Sequence, residues 1–335
     1  MIVSFIRGHF PRHVRTHFIP FSFFMSDITY ESPFFQNCLG YCPHLTCCRP
    51  GFGGSTPVEL SQRIPTFLEI IPLLLLHLGI KSISIASQSA GTIYGLNLLA
   101  HRPDLLSPSN PRVTFFSPWV HQTHSSVAFL KLASMLPNGL LNHWNKLTGF
   151  IINNAQPAFA VSGGAVTAAS SAFRSKTASQ EREEELAREC LQGYGIPLAL
   201  KEEVDKLIFK YGFQESTTGA NDEARLCLKS VAGIGWDTCE DYEQYVSVLS
   251  GVWGKRLEEG RPKLRISIVL PEEDIMVGEK GMAYFENCWA KERYGKGIEV
   301  EITKLEGADH DSTASPPAGA VGRMFAEVKG PAPRL

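Results

Sequence analysis

The sequence predicts an α/β fold, a mostly parallel, doubly wound sheet with an inserted helical segment. Three observations predict it. Short β-branched runs alternate with stretches whose apolar residues recur at three and four. Tight, glycine-bearing turns follow the early strand candidates. A long helix-patterned stretch then separates these units from two further strand candidates near the C-terminus.

In chain order, Leu45 to Cys48 reads as a strand that runs into the glycine-dense turn from Arg49 to Thr56 (RPGFGGST). Between Pro57 and Leu78, the residues Leu60, Ile64, Phe67, Leu68, Ile71, Leu74 and Leu75 form a helical stripe, which Gly79 is placed to stop. Ser82 to Ala86 predicts a short buried strand and Gly91 to His101 a helix that ends before Pro103. Val113 to Val120 predicts another strand.

From His121 to Arg261 the alternation stops. Helices are predicted from Ser179 to Leu191 and near 200–213 and 241–253, with a loop from Gln214 to Asp222 and a flexible joint at Val161 to Ala172. Strands return at Leu264 to Leu270 and Ile298 to Leu305, and a helix over Ala318 to Val328 closes the pattern. The expected organisation is a core over 1–120, with 1–45 atypical, a helical cap over 121–261, and the rest of the core over 262–335.

Composition narrows the function. The chain has 335 residues, 44% of them hydrophobic and 20% charged, the balance of a globular domain rather than a disordered one. Its 32 basic and 34 acidic side chains nearly cancel, so no broad field is available to hold a nucleic acid or an anionic membrane. The most apolar stretch, Phe67 to Leu78, is broken by Glu69, Pro72 and His77 and is too short to span a bilayer. The expected partner is a small molecule, with no nucleic acid and no stable membrane insertion, and the oligomeric state is left open. Eight cysteines lack the density of a disulfide scaffold, which points to a reducing, cytoplasmic compartment. Four of them, Cys38, Cys42, Cys47 and Cys48, lack paired C-x-x-C spacing, so no metal is expected.

The chemistry centres on Ser87 to Gly91 (SQSAG), between a strand candidate and a helix candidate. A nucleophile elbow needs a sharp strand-to-helix turn that exposes a strained serine, with small residues two positions either side. Ser89 is the candidate nucleophile, and Ser87 takes the place of the usual first glycine. At a helix start, the Ala90 N–H is positioned to meet a developing oxyanion. The candidate base is His310, in the loop EGADHD after the last strand candidate. Asp274, in PEEDIMV after the preceding strand candidate, is the candidate carboxylate to orient it. Glu272 and Glu273 read as solvated turn residues, and Asp309 and Asp311 lie too near His310 in the chain to direct its ring. Gln88 and Trp119 are weaker candidates for substrate contact, with Phe115 and Phe116 as further pocket walls or ordinary core.

These blocks resemble the α/β-hydrolase superfamily, most closely fungal members of its esterase and epoxide-hydrolase-like branch. The likeness rests on Arg49 to Ser55, Ser87 to Gly91, Glu273 to Phe285 and Glu306 to Asp311. It implies an α/β-hydrolase fold, a triad in the order Ser89, Asp274, His310, and no cofactor. The implied activity is hydrolysis of an ester-like small molecule (a carboxylic ester, thioester or lactone) through an acyl-enzyme, with secondary metabolism as its expected setting. Serine rather than aspartate at the elbow argues against epoxide or haloalkane hydrolysis. The chain departs from the pattern at Cys48, where members usually have Asp, and it lacks a recognisable His-Gly loop, so the second oxyanion donor is unassigned. Acyl transfer and cyclisation use the same triad, and a non-catalytic scaffold that binds a small molecule or partner through the cap is the alternative reading.

Overall fold

The computed structural model describes residues 17–21, 45, 49–52, 55–125, 127, 176–212 and 218–329. The joint expected at Val161 to Ala172, the cysteines at 38, 42, 47 and 48, and most of the strand expected at Leu45 to Cys48 lie outside them.

Five strands form one sheet in the order β1-β2-β3-β4-β5: His17–Phe21, Ile83–Ser89, Arg112–Pro118, Leu264–Pro271 and Ile298–Leu305. Every neighbouring pair is parallel. The α/β class and the parallel sheet expected from sequence are therefore present. β2 is buried along its whole length, as a strand covered on both faces must be. It continues to Ser89, beyond the predicted end at Ala86. β1 was not foreseen: its register pairs His17 with Ile83 and Phe21 with Ser87, beside the strand that carries Ser89.

Successive side chains on a strand point to opposite faces, and β3 and β4 sort their residues accordingly. Val113, Phe115, Ile266 and Ile268 enter the larger core cluster, whereas Phe116 and Val269 enter a smaller one. The larger cluster takes in the apolar faces of α1 (Arg63–His77) and α2 (Gly91–His101). The smaller is closed by Val321, Met324, Phe325 and Val328 of the C-terminal helix, α8 (Ala320–Lys329). Helices thus cover both faces.

The stretch between β3 and β4 contains α3 (Lys176–Tyr194), α4 (Leu198–Gly212), α5 (Thr218–Leu228) and α6 (Tyr242–Glu258). Sequence places all four in an inserted cap over 121–261. The structure puts the apolar faces of the last two in the main core: Leu226 and Leu228 of α5, and Tyr242, Tyr245, Leu249 and Trp253 of α6, pack in the same cluster as β2 to β5. Hydrogen bonds fix α6 there, from the Tyr245 hydroxyl to the Leu96 carbonyl at 2.7 Å and from Tyr242 to the Trp119 carbonyl at 2.8 Å. The predicted loop at Gln214 to Asp222 is helix from Thr218, and Glu223 of the same helix lies in a buried ion cluster. It bonds to Arg49 at 2.6 Å and Arg63 at 2.5 Å, and accepts from the Tyr94 hydroxyl at 3.1 Å. Gly219 lies so close to Gly51 that a Cβ on it would meet the Gly51 carbonyl oxygen at 2.5 Å. A further helix, α7 (Gly278–Cys288), follows β4 in a stretch for which the sequence pattern predicts no element.

Candidate active site

The chain turns from β2 into α2 across two residues. Ser89, the last residue of β2, has φ of 51°, a left-handed conformation that costs a non-glycine residue about 1–3 kcal/mol and persists only where its surroundings impose it. The partner strand yields at the same level. Gln88 pairs with Phe116 but Ser89 with Pro118, so Ser117 bulges out, at φ of 39°. Ser89 then accepts from the Trp119 N–H through its carbonyl at 3.2 Å. Ala90 caps α2 in helical geometry and is buried. Room for Ser87 in place of glycine comes from Gly95 one turn into α2, where a Cβ would stand 3.3 Å from the Ser87 hydroxyl.

Three expected residues, distant in sequence, meet at this turn. His310 Nε2 lies 2.8 Å from Ser89 Oγ, and its Nδ1 lies 2.7 Å from Asp274 Oδ2. An ionised carboxylate only accepts, so Nδ1 carries the proton and Nε2 is left to accept from the serine hydroxyl. The second Asp274 oxygen, Oδ1, accepts from the backbone N–H groups of Met276 at 2.8 Å and Val277 at 2.9 Å. These bonds, at the start of α7, fix the direction of the carboxylate. All three side chains are buried. Burial by itself pushes the His310 ring down, but the Asp274 carboxylate, through its charge and hydrogen bond, outweighs it and raises the pKa above the usual histidine value.

The two loops are tied together. The backbone N–H groups of Glu272 and Glu273 both donate to the Ala308 carbonyl, at 3.1 and 3.5 Å, and the Glu272 carboxylate accepts from the Gly307 N–H at 2.7 Å. Glu272 and Glu273 are exposed, as expected for turn residues. Asp309 turns back on its own loop, accepting from the Ser312 N–H at 2.9 Å. A buried bond of 2.6 Å between the Ser117 and Thr313 hydroxyls, which no local sequence signal marks, joins the bulge of β3 to this loop.

The weaker candidates fall differently. Trp119 is only 5% exposed, and its indole N–H donates to the Cys227 carbonyl at 3.3 Å, so its ring is held against α5. Phe115 and Phe116 are core residues on opposite faces of the sheet, Phe115 edge-on to Phe285. The Gln88 amide donates to the Asp311 carbonyl at 3.0 Å and to the His310 carbonyl at 3.4 Å. The second oxyanion donor gains no assignment from the described residues; β1 ends at Phe21, and 22–44 lie outside them. No His, Cys, Asp or Glu cluster among the described residues has the makings of a metal site. No helix among them is long and apolar enough to cross a membrane.

No protein-family model matches the sequence, and comparison with curated proteins finds no match. Solved structures do match. An alpha/beta hydrolase enzyme from a Medee basin deep-sea metagenome library is 15% identical with a TM-score of 0.58, over 99% of this chain and 95% of its own. The 2-hydroxy-6-oxo-6-phenylhexa-2,4-dienoate hydrolase from Rhodococcus sp. strain RHA1 is 14% identical with a TM-score of 0.54, over 98% and 99%. A thermophilic esterase from Thermogutta terrifontis is 11% identical with a TM-score of 0.52, over 97% and 93%. At such identities the likeness is one of fold.

Proposed function

The chain has the α/β-hydrolase fold, and on that premise we propose that it is a serine hydrolase acting on ester-like small molecules through an acyl-enzyme. The observation that carries the proposal is the continuous hydrogen-bonded path from Ser89 through His310 to Asp274, at 2.8 and 2.7 Å, beginning at a strained strand-to-helix turn. Ser89 Oγ attacks the carbonyl carbon while its proton passes to His310 Nε2. Asp274 holds the resulting imidazolium without taking a proton. The carbonyl oxygen, now an oxyanion, accepts from the Ala90 N–H, a type of contact worth about 2.7–4 kcal/mol in the transition state. His310 returns the proton to the leaving oxygen or sulfur, and water repeats the sequence to free the acid. Every proton is moved by a side chain of the chain itself, so the reaction requires no cofactor.

Carboxylic esters, thioesters and lactones all fit this chemistry. Of the helices of the expected cap, α3 comes near the histidine loop, since a Cβ on its Gly193 would meet the Pro317 ring at 2.4 Å. A cytoplasmic setting is supported by four buried, free cysteines among the described residues. Hydrolysis of p-nitrophenyl butyrate tests the proposal. The wild type releases nitrophenolate above background and Ser89→Ala does not. A folded wild type that matches background overturns the proposal and favours the non-catalytic scaffold.

A further inference from the structure

We propose that Gln88 is a positioning residue that sets the height of the His310 loop over the nucleophile, rather than a group that touches substrate. The inference rests on the serine-hydrolase reading above. Ser89 and Asp274 hold the two nitrogens of the His310 ring, but a ring on a loop is only as well placed as the loop's backbone. Gln88 supplies that placement from the residue next to Ser89. Its buried amide reaches across to the carbonyls of His310 and Asp311, so the strand that carries the nucleophile also carries the strut for the base.

The geometry of β2 accounts for the division of labour. Gln88 pairs with Phe116, and Ala86 and Phe116 face the α8 side of the sheet. The histidine loop crosses from the carboxyl edge of the sheet to that same side, where Ala314 packs beside the α8 cluster. By the two-residue alternation of a strand, Gln88 shares the face of Ala86, under the loop. An amide spent on two main-chain carbonyls has its donors committed away from a ligand. The bonds from Glu272 to Gly307 and Ala308, and the Ser117–Thr313 bond, tie the two flanks of the loop, whereas the Gln88 bonds hold its main chain at His310 and Asp311 themselves.

Two replacements separate a strut from a space-filler. Gln88→Met keeps the length and loses the donor; Gln88→Glu keeps the shape and donates only while protonated. With a fluorophosphonate as probe, the maximal labelling rate of Ser89 in Gln88→Met falls roughly 10- to 100-fold, the cost of a reacting group about an ångström out of place. The reagent concentration at half-saturation stays unchanged. In Gln88→Glu the deficit relative to wild type widens as pH rises, because the ionised carboxylate repels the two carbonyls, and narrows as it becomes protonated. Amide hydrogen exchange across 306–315 quickens in Gln88→Met while exchange in β2 to β5 does not change.

Labelling rates equal to wild type in both variants at every pH, or unaltered exchange in that loop, overturn the proposal. Should Gln88→Met lose its fold, the isosteric Gln88→Glu decides alone through its pH profile. A folded wild type that never labels overturns the serine-hydrolase reading and with it any part for Gln88 in the reaction. Faster exchange in Gln88→Met then leaves only a structural tie.

Discussion

Replacing Glu223 by Gln removes the carboxylate shared by two buried guanidiniums. Arg49 and Arg63 are 3% and 0% exposed, and they reach Glu223 at 2.6 and 2.5 Å. Among the described residues the next carboxylate to Arg63 is Asp222 at 4.0 Å, and Asp222 is also bonded to Arg225 at 3.1 Å. Burial opposes the Arg63 charge, but Tyr94 and Glu223 override it and hold its pKa above the ordinary value. Glutamine fills the same space and still accepts one bond, yet it leaves two positive charges in the interior. Breaking a buried ion pair from one side costs about 3–5 kcal/mol. At about 1.4 °C per kcal/mol for a chain of 335 residues, the melting temperature falls by roughly 4–7 °C. Thermal melts followed by circular dichroism read the shift, with an Arg49→Met, Arg63→Met, Glu223→Leu variant as control. That triple variant recovers part of the loss, because apolar groups replace all three buried charges, while the Tyr94 hydroxyl and the Pro50 carbonyl give up their partners. A melting temperature within 1 °C of wild type for Glu223→Gln refutes the reasoning.

Asp274→Asn lowers the esterase rate about 10³- to 10⁴-fold by disturbing the His310 tautomer. It also moves the acid limb of the pH profile from above 6.5 to lower pH, since burial of the ring is left without its main opposing charge; a limb that stays in place contradicts this. Ser87→Ala melts at or slightly above the wild-type temperature, because the Ser87 hydroxyl is buried and finds no hydrogen-bond partner among the described residues while the space facing Gly95 is kept. A drop of more than about 2 °C would mean that the hydroxyl is bonded in solution. His121→Gln loses less stability than wild type between pH 7 and pH 4.5, as read by melting temperature. Burial, followed by the nearby Lys229 charge, pushes His121 down to about 4, so the unfolded chain binds the proton first as pH falls below 6.5. The raised pKa of His310 acts in the opposite sense, with its contribution full below 6.5 and lost as pH rises through the folded-state value, and it is common to both proteins. Parallel pH dependences for the two would contradict the assignment.

The legible parts of the molecule were those whose cause is local. α2 and β5 occupy the residues that spacing and β-branching predict, Gly91–His101 and Ile298–Leu305. Ser89, Asp274 and His310 were legible as a set because each follows a strand recognisable on its own, and parallel strands deliver their following turns to one edge of the sheet. What escaped depends on distant partners. β1 reads HFIPF, with a proline among its five residues, and is a strand through its pairing with β2. α5 begins Thr-Gly-Ala-Asn-Asp, a loop by composition, and is helix in a setting where Glu223 meets two arginines more than 150 residues away. The tie from Gln88 to the histidine loop escaped too, because its place beside the nucleophile is visible in sequence whereas the carbonyls it bonds lie 222 and 223 residues on.

The central claim, that Ser89 is an activated nucleophile, is tested most directly by covalent labelling with a fluorophosphonate, with the modified peptide identified by mass spectrometry. The account predicts one adduct, on Ser89, which is lost in Ser89→Ala and falls to background in His310→Ala. A folded wild type that stays unmodified, or an adduct that forms equally well without His310, would contradict it.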